Sequence, residues 1–478
     1  MANVFCSRQV QNGWLTIDFW LCTMLMFLVE FGCAVLGAPS PRLLEMIVCR
    51  EYYQRSHSTP TSEDCKIKEV QVQLGFVLTV LSTCSILAAT LMQIPMGVFA
   101  DKKGRKGALL LNITSTILYW GWIPFVAIFT NMPVWALYIA PIFLFIGGGP
   151  WASGALVFST INRQISPSRR TPAFSIMEAV SGIADLVGPA LGALTMEHHI
   201  WLPFLLATLS FTLMFVPTFL LGDEPMPLSI EVNATYPGFE ACRSTDSEEQ
   251  PLLHDISTSR YPRNSDRVTF IRSTSCIYVI SFGSFFLLSL ARDSNNFLIP
   301  WISWRFNESM ARAGLIFSLR AIVSSLVFFV LLPSASSFAS NIMRMGSFAR
   351  DLLISTFSVV LLCVGSIMVA FSSNISTLVV GFCITTLGSG ATVSLRAFLA
   401  SKVDTSLSGR IFAAISATSA IGSLVGMPLM GTLYSLSISK EASSISLPFV
   451  VAAVAYFLVL FVIGSVRFSI WTKRCRGS

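Results

Sequence analysis

Seven ionisable side chains stand inside long apolar runs: Glu30, Glu178, Asp185, Arg292, Asp293, Arg320 and Arg396. A charge is unfavourable in such a run, so each is read first as a working group. A carboxyl group held there can pick up and release a proton as its surroundings change. Glu178, Gly182, Asp185, Pro189 and Gly192 fall at i, i+4, i+7, i+11 and i+14, which puts two acids and three packing positions on one helix stripe. Glu178 is the first candidate proton carrier, and Asp185 and Glu30 follow. Arg320 lies about nine residues, roughly 14 Å, into its run, near the middle of a bilayer. It can hold an anionic substrate or neutralise Glu178. Arg292 is a second candidate for substrate contact, or it pairs with Asp293 at the outer edge. Arg396, near an inner end, can snorkel to the surface. For each of these groups a structural ion pair between helices is the competing reading.

The elements that must position them follow from composition. Of 478 residues, 53% are apolar and 12% charged, about half the charge of a soluble domain. That excludes an ordinary soluble enzyme, a nucleic-acid binder and a disordered chain. Apolar runs of spanning length lie near 14–36, 74–100, 107–129, 134–160, 173–195, 201–221, 276–300, 313–333, 352–371, 377–400, 411–433 and 448–466, here numbered one to twelve. The first is too long for a signal-peptide core and reads as a retained membrane helix. Between runs six and seven, 222–273 is rich in Ser, Thr, Pro, Asp and Glu and reads as a linker. The expected fold is all-α: twelve transmembrane helices in two pseudo-symmetric six-helix bundles, 1–221 and 274–478, joined by that linker. LVGPALG (Leu186 to Gly192) in run five and LVGMPLMG (Leu424 to Gly431, with Gly426 and Pro428) in run eleven lie six runs apart, as parallel repeats require.

Placing the N-terminus in the cytosol puts 21 of the 32 Lys and Arg on the inner side and 8 on the outer, so both termini and the linker are expected to be cytosolic. Cys49 and Cys65 fall in one long polar outer loop, 37–72, where a disulfide fits an oxidising side; two free thiols are the alternative. Of the Asn-x-Ser/Thr sites, Asn307 is the one placed for glycosylation. Trp20, Trp151 and Trp301 can stack on an aromatic substrate or serve as interfacial anchors, the second reading fitting Trp301 better. No nucleotide-binding Gly-x-x-x-x-Gly-Lys-Ser/Thr loop exists, and no His lies in a run. The sequence therefore offers no ATP drive, no cofactor, no metal site and no enzyme.

At the junction of runs two and three stands GVFADKKGRKG, Gly97 to Gly107. Gly97 suits close helix approach, Asp101 suits a helix N-terminus where the dipole favours an anion, Gly104 permits a tight turn, and Arg105 and Lys106 sit at the membrane surface. This order resembles the loop 2–3 signature of the major facilitator superfamily, and the twelve runs and long central tract extend the resemblance over the chain. The resemblance implies two bundles rocking about a central site, lined by runs one, four, seven and ten, with runs two, five, eight and eleven between the bundles. It implies that Asp101 and Arg105 latch a gate. Runs three, six, nine and twelve carry no charge, which fits the lipid-facing scaffold helices of that superfamily. Gly182, Gly188, Pro189 and Gly192 resemble the Gly-Pro motif of its exporting antiporters. The Arg that precedes the glycines of run four in many drug antiporters is replaced by Phe143. Ile176-Met177-Glu178-Ala179 and Ser318-Leu319-Arg320 are similar to the proton-coupled folate transporter branch. PSPRLLEMIVCREYY and CKIKEVQVQL resemble fungal secondary-metabolite exporters.

These features lead to a monomeric cell-membrane transporter that exports a small organic molecule, a secondary metabolite or toxic compound, in exchange for protons. Proton-coupled uptake of an organic anion or nutrient is the transport alternative. A non-transporting sensor that signals through 222–273 is the alternative of another class.

Overall fold

The computed structural model describes residues 16–55, 64–129, 132–164, 170–222, 282–341, 347–400, 408–439 and 445–476. From residue 223 onward the linker tract lies outside the described residues, and so do the termini. Among the described residues every regular element is helical. In order they are α1 (Ile17–Val35), α2 (Pro39–Arg55), α3 (Lys68–Lys103), α4 (Arg105–Ile128), α5 (Leu144–Gly147), α6 (Gly149–Gln164), α7 (Arg170–His198), α8 (Trp201–Leu213), α9 (Phe215–Leu220), α10 (282–292), α11 (Leu298–Arg305), α12 (Met310–Leu326), α13 (Leu332–Asn341), α14 (Ser347–Ala370), α15 (Ile375–Leu387), α16 (Gly390–Ala400), α17 (Ser408–Ser439) and α18 (Leu447–Arg476).

Local chemistry sets the ends. The Thr16 hydroxyl accepts from the Phe19 N–H at 3.2 Å and starts α1, and Ser309 does the same for α12 through Arg312. Gly104 separates α3 from α4 at φ 95°, a left-handed turn that glycine makes without strain.

Ten helical segments among the described residues are long and apolar enough to cross a membrane. Runs seven and eight are helical but interrupted. A 3-10 turn, Asp293–Phe297, splits α10 from α11, and a π segment, Val327–Leu331, joins α12 to α13. Neither run is among those ten.

The first bundle packs α1 against α6, α7 and α8; the second packs α14 against α15, α16 and α18. Between the bundles α17 lies on α3, and α12 lies on α7. Two glycine stripes make equivalent joints. Gly188 and Gly192 of α7 seat the Ala34 and Val35 backbone of α1, and Gly426 of α17 seats Leu290 and Asp293 of run seven. Run five on run one therefore corresponds to run eleven on run seven. Gly431 seats Thr79 of α3, while α17 continues through Pro428 and α7 through Pro189. Gly182 meets nothing within 4 Å, so its reading as a packing position does not hold in this conformation. Gly192→Val is expected to destabilise the fold by about 1–3 kcal/mol through overpacking, whereas Gly182→Ala stays within about 0.5 kcal/mol; thermal unfolding in detergent measures both.

The expected loop 37–72 is largely a helix. Leu43, Leu44, Ile47 and Val48 of α2 are buried, and the polar groups between them are paired. Glu45, 0% exposed, pairs with Arg42 and accepts from Gln71 Nε2 at 2.7 Å. Arg50 donates to the Ala127 carbonyl at 2.9 Å, and the Val134 N–H donates to Glu51. These bonds fasten α2 to the first bundle. A disulfide joins Cys49 to Cys65, with Cα atoms 5.3 Å apart. Beside it, Lys66 Nζ donates to the carbonyls of Glu308 at 2.6 Å and Ser303 at 3.3 Å, in the second bundle. Lys66→Met removes charge-assisted bonds of a kind worth roughly 1.5–3 kcal/mol. It is expected to raise the population opened at this face about tenfold or more. The labelling rate of a cysteine placed at Thr79, with exposed Cys84 replaced, measures that population.

Candidate functional site

The bundles converge at the face that carries α2. Gly75 seats the Tyr434 ring, Thr79 fills the groove at Gly431, and Gly314 lies against Ala38 and Ala193. Toward the Gly104 face the contacts thin out. Ile94 is 78% exposed, Val98, Ile421 and Val425 are exposed, and Gly97 and Gly182 meet nothing within 4 Å. The two bundles are thus closed at one end and parted at the other. The parting also explains why Gly97, expected to bring helices together, does not do so here.

At mid-depth a line of polar groups crosses from one bundle to the other. Glu30 and Cys33 of α1 lie within electrostatic reach of each other, Trp120 of α4 approaches the Cys33 sulfur, and Asp185 of α7 is felt at the same sulfur. Asp185 is exposed and attracts Arg320 of α12, across the interface. Among the described residues no ion pair within 4 Å joins them. The Arg320 guanidinium lies 5.5 Å from the centroid of the Phe317 ring and within reach of Arg292 and Tyr456. Tyr456, buried on α18, interacts in turn with Arg292 and Asp293.

The structure thus brings Asp185, Arg320, Arg292 and Glu30 into one belt. Trp151, 44% exposed, stands beside it as an aromatic shelf, edge-on to Tyr119 at 5.7 Å; Tyr119 Oη in turn accepts from Ser85 at 3.1 Å. Glu178 sits on the α7 backbone and Asp101 near the end of α3, but both side chains lie outside the described residues. The expected Arg292–Asp293 pairing at an edge is corrected: the two residues sit midway along 282–305, Arg292 exposed and Asp293 buried, with no ion pair within 4 Å. Trp301 is corrected too, since at 1% exposure it is core and no interfacial anchor. Arg396 is exposed near the end of α16. Asn307 is exposed at φ 54° on the α2 face, bordering a cavity of about 510 Å³ with Arg42, Lys66 and Glu197.

Sequence reading missed Cys33, Trp120, Tyr456, Ser289 and Ser423. In the 97–107 loop, Arg105 is buried and donates to the Thr160 carbonyl at 3.0 Å, tying α4 to the end of α6; Lys102 and Lys103 are exposed.

Apolar rods in two bundles, parted on one side around a belt of ionisable groups, give the architecture of a helical membrane protein with an internal polar site. Residues 68–287 match the family described as Major Facilitator Superfamily. The MFS efflux pump atnC of Emericella nidulans is 26% identical over 456 residues, covering 91% of this chain and 84% of that protein. The efflux pump ustT of Aspergillus flavus is 24% identical and covers 86% and 80%. Among solved structures, a mutant form of the nucleoside transporter NupG matches with a TM-score of 0.62 at 13% identity, over 93% of this chain and 99% of that one. Residues 68–287 thus match that family's model, and the chain as a whole shares its fold with that solved transporter.

Proposed function

We propose that the chain exports a small organic molecule in exchange for protons by alternating access, with α2 facing outward and both termini in the cytosol. The observation that carries this reading is the Asp185–Arg320 couple. The two groups stand on opposite bundles, attract each other, and touch neither one another nor another charged side chain within 4 Å among the described residues. Proton binding to Asp185 removes the attraction and frees the Arg320 guanidinium for cargo; proton release restores it. The same event changes how strongly the bundles are drawn together, so proton occupancy and bundle position are linked. The present conformation, parted at the Gly104 face, is the one that loads cargo from the cytosol.

Export is supported by the efflux pumps among the relatives and by the Gly188–Gly192 joint to α1. Glu178 and Glu30 are proposed as further proton carriers, Trp151 and Arg292 as cargo contacts, Asp101 and Arg105 as the gate latch at the Gly104 turn, and Asn307 as an outward glycosylation site. The test uses inside-out vesicles with an imposed pH gradient reported by acridine orange. A panel of aromatic natural products is added one at a time. A transported compound is expected to dissipate the gradient only where the chain is present. Accumulation that is indifferent to the gradient contradicts proton exchange.

A further inference from the structure

The break in run seven holds a carboxyl group that the couple above does not use. Asp293 opens the 3-10 turn and is 7% exposed. Its Oδ1 accepts from Ser423 Oγ of α17 at 3.3 Å. Ser423 Oγ and Ser289 Oγ share a hydrogen bond at 3.0 Å, and Arg292 Nη2 donates to Ser289 Oγ at 3.5 Å. Arg292 is exposed. Two hydroxyls therefore run between a guanidinium at the open site and a carboxyl group in the core. The other carboxyl oxygen, Oδ2, is buried with no hydrogen-bond partner. It faces Gly426, where a Cβ would lie 2.7 Å away.

A bare oxygen on an ionised carboxylate in the core is unfavourable by several kcal/mol. Arg292 relieves it only in part: its charge acts on Asp293, but its guanidinium is turned to Ser289 and makes no ion pair with Asp293 within 4 Å. The remaining titratable group against Asp293 among the described residues is Tyr456 of α18; α17 brings the Ser423 hydroxyl. A metal cation is poorly served, since the Gly426 backbone closes the Oδ2 side and a guanidinium stands next in sequence. A proton needs neither space nor a coordination shell, and a hydroxyl both donates and accepts.

We propose that Asp293 is a proton-binding site of the second bundle, loaded and unloaded from the Arg292 side through Ser423 and Ser289. This rests on the proton-exchange reading above and extends it to a carboxyl group that the belt does not need. The step makes one O–H bond on the carboxylate and breaks it again on release. The net charge beside Arg292 changes by one each time. Loading frees Arg292 for cargo, and unloading draws it back.

The test is infrared difference spectroscopy of the full chain in lipid nanodiscs between about pH 5 and pH 9. The wild type is expected to show carboxylic C=O bands at low pH that bleach at high pH. Asp293→Asn should lack one of them, and Ser423→Ala should keep that band at a shifted frequency. If every titrating band survives in Asp293→Asn, the assignment fails while proton exchange stands. If no carboxyl band titrates in the wild type, the proton-exchange reading fails with it. A response to sodium at constant pH, in place of pH, overturns the site as a proton site. Should Asp293→Asn not fold, an unmoved spectrum in Ser423→Ala overturns the assignment by itself.

Discussion

Asp185→Asn is expected to abolish transport driven by a pH gradient while leaving the protein folded. Asp185 is exposed in the parted region, so the amide is as well solvated there as the acid. What it loses is the attraction to Arg320 and the capacity to cycle a proton. Unit charges in a site of effective dielectric about 20 interact by roughly 2–4 kcal/mol at close range, and each 1.4 kcal/mol is about tenfold in an equilibrium. Gradient-driven flux is thus expected to fall at least about tenfold, with passive exchange of cargo across the membrane retained. Asp185→Glu should keep coupling. Reconstituted vesicles with and without a pH gradient measure the split; loss of both modes together would assign Asp185 to cargo binding or folding instead.

Arg320→Met is expected to do more harm. Asp185 is left in the open, solvated gap, so the loss of stability is that of a screened pair, about 0–1 kcal/mol. The substitution also takes away the cation offered to cargo. Transport in every mode should disappear, and purified protein should unfold at a slightly lower temperature. The double variant Asp185→Asn/Arg320→Met is expected to recover that small loss of stability and none of the transport. That non-additivity is the signature of a coupled pair. Additive stability effects would show that the two groups ignore one another.

Particular residues show what could be read from sequence. Asp185 and Arg320 were legible, because a charge in an apolar run has few places to go except the gap between bundles. Arg292 and Asp293 were legible as charges, but neighbours in sequence point about 100° apart on a helix. Adjacency could not tell that one faces the opening and the other the core, and reading run seven as 276–300 placed both too near its end. Tyr456 was hidden because an aromatic on an uncharged run looks like the Phe-rich lipid surface. Ser289 and Ser423 were hidden because a hydroxyl in a membrane helix commonly bonds its own preceding turn, as Thr79 and Thr83 do here. Helix α2 was unreadable as structure, since its charges look solvated until Gln71, Ala127 and Val134 are brought to them. Gly97 and Gly192 are the same residue in two motifs; Gly192 is pressed on α1 inside the first bundle, whereas Gly97 faces the parted region and meets nothing within 4 Å.

The central claim is that the two bundles pivot about the Asp185–Arg320 belt. Double electron–electron resonance tests it on two spin-label pairs. One pair, at Glu69 and Arg312, spans the α2 face; the other, at Lys103 and Ser334, spans the Gly104 face. All four positions are exposed. On a change of pH the account predicts that one distance lengthens as the other shortens, and that Asp185→Asn holds both fixed. Distances that move together, or that respond to pH equally well in Asp185→Asn, would contradict it.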